Sequence, residues 1–79
     1  MSNYELDIDL QKFIIEHLAL PENTKFDRNS KLSDCGLDSL DIMDTIFHLE
    51  DRYDIMIENA HSIVTYGQLL DTIQEQLEL

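Results

Sequence analysis

The sequence is poor in the residues that make tight turns and covalent cross-links. It has two glycines, one proline, one cysteine and no tryptophan. A small β-sandwich or barrel needs many tight turns and normally contains more glycine and proline, so a helical fold is favoured. The single cysteine, Cys35, has no partner for a disulfide within the chain, which fits a reducing compartment.

Positive charge is also scarce, because five Lys and Arg stand against 17 Asp and Glu, a formal net charge of −12. Such a surface repels phosphate groups, so we expect neither nucleic-acid binding nor docking on an anionic membrane. No apolar run approaches the roughly 18 residues that span a bilayer, and the N-terminus does not resemble a signal peptide. We therefore expect a cytoplasmic protein that binds basic surfaces on other proteins.

The length of 79 residues predicts one domain, 1–79, with a thin core. Chains of this size bury only about 60–65% of the surface that the unfolded form exposes. A two-domain enzyme with a deep cleft between its domains is excluded. The hydrophobic content of 43% is enough for a globular fold and too high for a disordered acidic tail.

Apolar side chains recur at steps of three and four near the N-terminus, which predicts an amphipathic helix over residues 4–18. Its apolar face consists of Leu6, Leu10, Phe13, Ile14 and Leu18. Ser2 or Asn3 is available as the N-cap, and Pro21 ends the helix because proline cannot continue the hydrogen-bond ladder.

The polar stretch 22–31 has little periodicity and is predicted to be a long loop, with Phe26 and Leu32 as its anchors in the core. Residues 58–62 have room for about one helical turn. Thr65 is expected to cap a last helix whose inward residues are Leu69, Leu70, Ile73 and Leu77. The pattern predicts an all-α bundle of three longer helices plus one short helix, with the long loop between the first two.

The second helix follows Gly36, and either Asp38 or Ser39 can cap it, with Asp41 in its first turn. It has two apolar stripes, about 100° apart on the helix. The stripe predicted to be buried is Ile42, Ile46, Leu49 and Tyr53, and the second stripe is Leu40, Met43 and Phe47.

Acidic side chains surround the second stripe, since residues 38–54 contain six acids and one base, Arg52. An exposed apolar centre with a charged rim is typical of a docking surface for another protein. The alternative is a bundle wide enough to bury both stripes, which would leave the acids as an ordinary solvated face. Periodicity alone does not separate these two interpretations.

Ser39 stands at the entrance of this helix, where serine is commonly just an N-cap. A nucleophilic serine needs a base, and His48 lies nine residues along the same helix, about 13 Å away. Nothing in the sequence places His17 or His61 beside it. Ser39 is therefore predicted to be a modification site at most and not a catalyst.

The sequence predicts no metal site. The three histidines and Cys35 lack the paired spacing that zinc ligands usually have. An acidic calcium loop starting at Asp27 fails because its sixth position is Leu32, where the sharp turn needs glycine.

The run Gly36-Leu37-Asp38-Ser39-Leu40-Asp41 opens an acidic helix that ends in Leu49-Glu50-Asp51-Arg52-Tyr53-Asp54-Ile55, and this arrangement resembles acyl carrier proteins. The resemblance extends to length, acidity, helix order and Thr65-Tyr66-Gly67 at the start of the last helix. It implies a non-catalytic carrier in which Ser39 bears 4′-phosphopantetheine derived from coenzyme A, with Asp38 and Leu40 as motif neighbours. It also implies a partner-recognition face formed by Asp41, Met43, Asp44, Phe47, Glu50 and Asp51.

The same resemblance implies a monomer with several enzymes as partners. They are a phosphopantetheinyl transferase, and an acyl- or aminoacyl-loading ligase, a ketosynthase or other acyl-processing enzymes with basic docking surfaces. The resemblance to the family is compatible with several biosynthetic pathways. Thr45 stands where the family usually has a bulky aliphatic residue and His48 where it has a small one, one on each side of the core stripe of Ile46 and Leu49. We expect Thr45 to face into the bundle, with its hydroxyl bonded to the Asp41 carbonyl, and to make the pocket between the helices less suited to a long acyl chain.

These departures favour a specialised pathway, such as polyketide or nonribosomal peptide synthesis. Housekeeping fatty-acid synthesis is the alternative within the family. An acidic protein-interaction module without a prosthetic group is the alternative from a different class, and it would not require serine at position 39.

Overall fold

The computed structural model describes residues 2–78, and in that range the chain forms three α-helices, two short 3₁₀ helices and no β-strand. The α-helices are α1 (Asn3–His17), α2 (Ser39–Tyr53) and α3 (Tyr66–Leu77), and the 3₁₀ helices are Leu32–Cys35 and Ala60–Ser62. The predicted helical bundle, with a short helix before the last long one, is confirmed. The 3₁₀ helix at Leu32–Cys35 is not predicted by the sequence pattern.

Each α-helix begins with a reciprocal capping box, in which the cap side chain accepts a hydrogen bond from the backbone N–H three residues later and that residue's side chain accepts one in return. The pairs are Ser2 with Glu5, Asp38 with Asp41, and Thr65 with Gln68. These hydrogen bonds decide between the two candidate N-caps of α1 and between those of α2. Ser2 rather than Asn3 caps α1, and Asp38 rather than Ser39 caps α2.

The hydrophobic core lies between the three helices and beneath the long loop. Phe26 and Leu32, the predicted loop anchors, are both buried in it. The helices contribute Leu6, Leu10, Ile14, Ile46, Leu49, Tyr66, Leu69, Leu70 and Ile73. Some residues predicted to point inward are only partly buried at the edge of this core, namely Phe13, Leu18, Ile42, Tyr53 and Leu77.

The long loop is fastened to the start of α3 by backbone hydrogen bonds. The N–H of Tyr66 donates to the carbonyl of Ser30 at 2.8 Å, and that of Gly67 donates to the carbonyl of Arg28 at 3.1 Å. The N–H of Leu32 donates to the carbonyl of Val64 at 3.0 Å. Glycine is needed at position 67, because a Cβ there would lie 2.6 Å from the carbonyl oxygen of Arg28.

The end of α2 is held against α1 by a polar cluster centred on Asp9. The Arg52 guanidinium donates two hydrogen bonds to this carboxylate, from Nη2 at 2.8 Å and Nε at 3.2 Å, and the Tyr53 hydroxyl donates a third. The bonds from Arg52 lower the pKa of the Asp9 carboxyl, and burial, reinforced by Asp9, raises the pKa of Tyr53 to about 12. Within residues 2–78 no helix has both the length and the apolar character needed to cross a membrane.

Candidate functional site

The chain enters α2 through a turn that fixes where Asp38 and Ser39 lie. Gly36 adopts a φ of +87°, a left-handed conformation that glycine accepts without steric cost. A Cβ at this position would meet no atom within 4 Å, so the backbone angle and not crowding accounts for the glycine. Leu37 follows and is buried in the core, which leaves Asp38 and Ser39 exposed at the start of the helix.

Ser39 is the first residue of α2, and its hydroxyl is not used to cap the helix. Asp38 caps the helix instead, because its Oδ1 accepts a hydrogen bond from the Asp41 N–H at 2.9 Å. The free amides and the dipole at a helix N-terminus favour a negatively charged group, and a phosphate ester on the first residue would benefit from both. Among the described residues no histidine hydrogen-bonds to Ser39.

A groove of about 300 Å³ opens beside Ser39, between α2 and the 3₁₀ helix Ala60–Ser62. Its walls are mostly apolar and consist of Ser39, Ile42, Met43, Ala60, His61 and Ile63. A flexible arm attached to Ser39 therefore has an apolar groove immediately next to its attachment point. The groove brings His61 to the same region as Ser39, a proximity that the sequence did not indicate.

Neither Thr45 nor His48 lines this surface groove. The expectation that Thr45 faces into the bundle and bonds to the Asp41 carbonyl is confirmed. Thr45 is only 2% exposed, and its Oγ1 donates to the Asp41 carbonyl at 2.7 Å, so the buried hydroxyl is satisfied within its own helix. His48 is exposed and faces α1 instead.

The second apolar stripe of α2 is exposed. Leu40 is 78% exposed, Met43 51% and Phe47 73%. The alternative in which the bundle buries both stripes is therefore excluded. Three large apolar side chains on successive turns of one helix form a surface with the composition of a protein-docking site.

The acids predicted to surround this stripe differ in what they contact. Asp41 belongs to the capping box, and the Oε2 of Glu50 accepts the Ile57 N–H at 2.7 Å. Glu50 therefore supports the chain after α2, and it points about 80° away from Leu40 around the helix axis. Asp51 points within about 20° of Leu40 and is exposed, with no ion pair or hydrogen bond from its carboxylate to the described residues.

Asp44, the remaining acid on this face, lies between two histidines. Its Oδ2 is 3.0 Å from His17 Nε2, and its Oδ1 is 3.5 Å from His48 Nε2. Sequence reasoning did not group these residues, because His17 and Asp44 are 27 positions apart and on different helices. The only local signal was the spacing of four between Asp44 and His48.

Comparisons with known proteins agree with this geometry. The family model described as phosphopantetheine attachment site matches residues 9–74. The acyl carrier protein of Exiguobacterium sp. AT1b is 30% identical over 79 residues, covering 98% of this chain and all of the relative. That of Buchnera aphidicola is 36% identical over 69 residues, covering 85% of this chain and 86% of the relative.

A plant relative matches over part of its length. The chloroplastic acyl carrier protein 2 of Spinacia oleracea is 31% identical over 72 residues, covering 89% of this chain and 55% of the relative. The family match extends over most of the chain, from within α1 to within α3, and includes the exposed serine at the start of α2. The chain therefore belongs to the acyl carrier proteins, which are non-catalytic carriers with covalently attached 4′-phosphopantetheine.

Proposed function

We propose that Ser39 carries the 4′-phosphopantetheine and that residues 1–79 act as one carrier domain in the cytoplasm. The observation that carries this proposal is an exposed serine at the first position of α2 whose hydroxyl is released from capping by Asp38. The motif from Gly36 to Asp41 lies inside the segment that matches the phosphopantetheine attachment family.

The chain's own residues fit the prosthetic group that its family carries. When bound, this group supplies a terminal thiol that holds an acyl cargo as a thioester. The first amides of α2 favour the phosphate at Ser39. Ile42, Met43 and Ile63 line the adjacent groove, where they would shield the thioester end of the arm or a short cargo from water.

The exposed face of α2 is the proposed recognition surface for a phosphopantetheinyl transferase and for acyl-processing enzymes. Leu40, Met43 and Phe47 supply its apolar centre, while Asp44 and Asp51 supply exposed negative charge. A carrier visits several enzymes in turn, so each complex should form fast through electrostatic attraction and separate readily. Asp41 and Glu50 lie at the rim of this surface, and each also has a structural bond.

The cargo that we propose belongs to a specialised pathway, such as polyketide or nonribosomal peptide synthesis. The supporting observation is Thr45, the one buried polar residue in the described part of the core, six residues after Ser39 and about 9 Å along α2. Its hydroxyl makes the interior between the helices less suited to a long acyl chain. Housekeeping fatty-acid synthesis is the second candidate. It is favoured by the apolar walls of the groove beside Ser39.

The test of attachment is intact-protein mass after incubation with coenzyme A and a phosphopantetheinyl transferase. Wild type should gain one phosphopantetheinyl group, Ser39→Ala should gain none, and Ser33→Ala, which removes an exposed serine six residues earlier, should gain one. Ser39→Ala should alter the free energy of unfolding by less than about 0.5 kcal/mol, because Ser39 is not the cap. A Ser39→Ala protein that is still modified, or a wild type that never gains mass, would contradict the assignment. The second result would leave the interaction module as the better interpretation.

The test of cargo class is thermal unfolding of the free-thiol form against a series of acyl forms of increasing length. A long saturated chain should raise the free energy of unfolding of a specialised carrier only slightly. A deep apolar site would raise it by about 0.8 kcal/mol for each buried methylene. Thr45→Val removes the buried hydroxyl at nearly constant size. It shows whether that hydroxyl limits the stabilisation that a long acyl chain provides. A melting temperature that climbs steadily with chain length in wild type would assign the protein to fatty-acid synthesis.

A further inference from the structure

Two histidines and an aspartate meet away from Ser39, where the end of α1 packs against the middle of α2. His17, Asp44 and His48 each offer one ligand atom, and these atoms lie within 4.8 Å of one another. The His17 and His48 rings are 4.5 Å apart between centroids. Asp44 is exposed, and it lies between the histidines with one carboxylate oxygen toward each Nε2.

The two aspartate–histidine spacings are close to those of a tetrahedral metal site. An ion with bonds of about 2.0–2.1 Å to nitrogen and oxygen holds its ligand atoms about 3.3 Å apart. The two aspartate–histidine distances, 3.0 and 3.5 Å, lie on either side of that value. The two distances end on different oxygens of Asp44, and the ligand nitrogens of the two histidines lie within 4.8 Å of each other. Binding one ion therefore requires rotation of the carboxylate and a closer approach of the two rings.

Two features of the fold preorganise this cluster. Asp44 and His48 are four residues apart on α2, so one turn of helix presents both to the same side. The His17 ring is stacked on Phe13 at 5.3 Å between centroids, and its side chain is only 21% exposed. A ligand whose ring is already fixed loses less entropy when it binds an ion.

We propose that His17, Asp44 and His48 bind one divalent transition-metal ion of the zinc class, with water in the remaining position. Two imidazoles and one carboxylate suit zinc better than calcium or magnesium, which prefer oxygen ligands. The net charge of −12 raises the local concentration of any cation. Bound metal would tie the end of α1 to α2 and neutralise Asp44, and the site does not depend on Ser39 or on its modification.

The experiment is calorimetric titration of the full-length, unmodified protein with zinc chloride, in excess magnesium to occupy weak acidic sites. One zinc ion should bind per chain, and His17→Gln and His48→Gln should each weaken binding at least tenfold. The matched control is His61→Gln, which removes a histidine outside the cluster and should leave affinity unchanged. Asp44→Asn should weaken binding, and Asp51→Asn, the same loss of charge on the same helix, should not.

Two further measurements locate the ion. Zinc should shift the imidazole NMR resonances of His17 and His48 and leave those of His61 in place. Cys35→Ser should bind zinc as wild type does. Affinity that is unchanged in a His17→Gln/His48→Gln double variant, or lost in Cys35→Ser, would overturn the proposal. Circular dichroism of each variant establishes that the fold is retained, and the same titration on Ser39→Ala separates this result from that of the attachment test.

Discussion

At the scale of residues, Asp38 and Ser39 have separate roles at the start of α2. Asp38 caps the helix through the Asp41 N–H, so Ser39 is spared that structural bond. A carboxylate in the capping position also keeps negative charge at the positive end of the helix dipole. The proposed attachment residue can thus be modified without removing a hydrogen bond on which the helix depends.

Phe47→Ala tests whether the exposed stripe of α2 serves recognition. Because Phe47 is 73% exposed, its removal should change the free energy of unfolding by less than about 0.5 kcal/mol. The rate at which a phosphopantetheinyl transferase modifies the protein should nevertheless fall several-fold, because apolar contact with the enzyme is lost. Urea unfolding and initial rates of modification measure the two effects.

The matched variant for Phe47→Ala is Leu49→Ala, two residues along the same helix. Leu49 is fully buried, so its truncation should cost about 2–5 kcal/mol. If Phe47→Ala lost as much stability as Leu49→Ala, or left the modification rate unchanged, the stripe would not be a docking surface.

Asp9→Asn should destabilise the protein in a pH-dependent way. The Arg52 guanidinium lowers the pKa of the Asp9 carboxyl in the folded state, below its ordinary value of about 3.9. The ionised carboxylate therefore contributes stability above about pH 4, and this contribution is lost as the pH falls through the lowered pKa. We expect the free energy of unfolding of Asp9→Asn to be lower than that of wild type by less than about 1 kcal/mol near pH 7. This difference should become smaller in acid.

Urea unfolding at a series of pH values measures the effect of Asp9→Asn. Glu75→Gln, which removes an exposed carboxylate with no hydrogen bond to the described residues, provides the baseline. If the difference in the free energy of unfolding between wild type and Asp9→Asn stayed constant or increased in acid, Arg52 would not favour the ionised form of Asp9.

At the scale of elements, the helices were predictable because their signals are local. Apolar steps of three and four, a cap such as Thr65 and a terminator such as Pro21 all act within a few residues. The 3₁₀ helix Leu32–Cys35 was not predicted, since four residues cannot display a period. The bond from the Ile57 N–H to Glu50 was missed because it depends on how the chain folds back after α2.

Gly67→Ala tests the contact between α3 and the long loop. Alanine is the better helix former by about 1 kcal/mol, yet its Cβ would lie 2.6 Å from a backbone oxygen of Arg28. Because a backbone atom cannot rotate away, we expect a net loss of about 1–3 kcal/mol in thermal or urea unfolding. Gln76→Ala, at an exposed position of the same helix, should be neutral or slightly stabilising. A Gly67→Ala protein more stable than wild type would contradict this contact.

At the scale of the whole molecule, a net charge of −12 on 79 residues opposes the compact state. Raising monovalent salt from about 0.01 M to about 0.1 M shortens the screening length from about 30 Å to about 10 Å. The melting temperature should therefore rise, while association with basic partner surfaces should slow. Scanning calorimetry and modification rates over one salt series measure both. A melting temperature that fell with salt would mean that ion pairs such as Arg52–Asp9 outweigh the repulsion.

The bonds between the long loop and α3 also determine which backbone amides exchange with heavy water. The first amides of a helix have no acceptor within it, so they normally exchange fast. In this protein the N–H groups of Tyr66 and Gly67 are bound to carbonyls of the loop, and that of Leu32 is bound to Val64. Their protons leave only when the loop detaches, so the deuteration of these three amides as a group measures how often the connection between α1 and α2 opens while the helices stay folded.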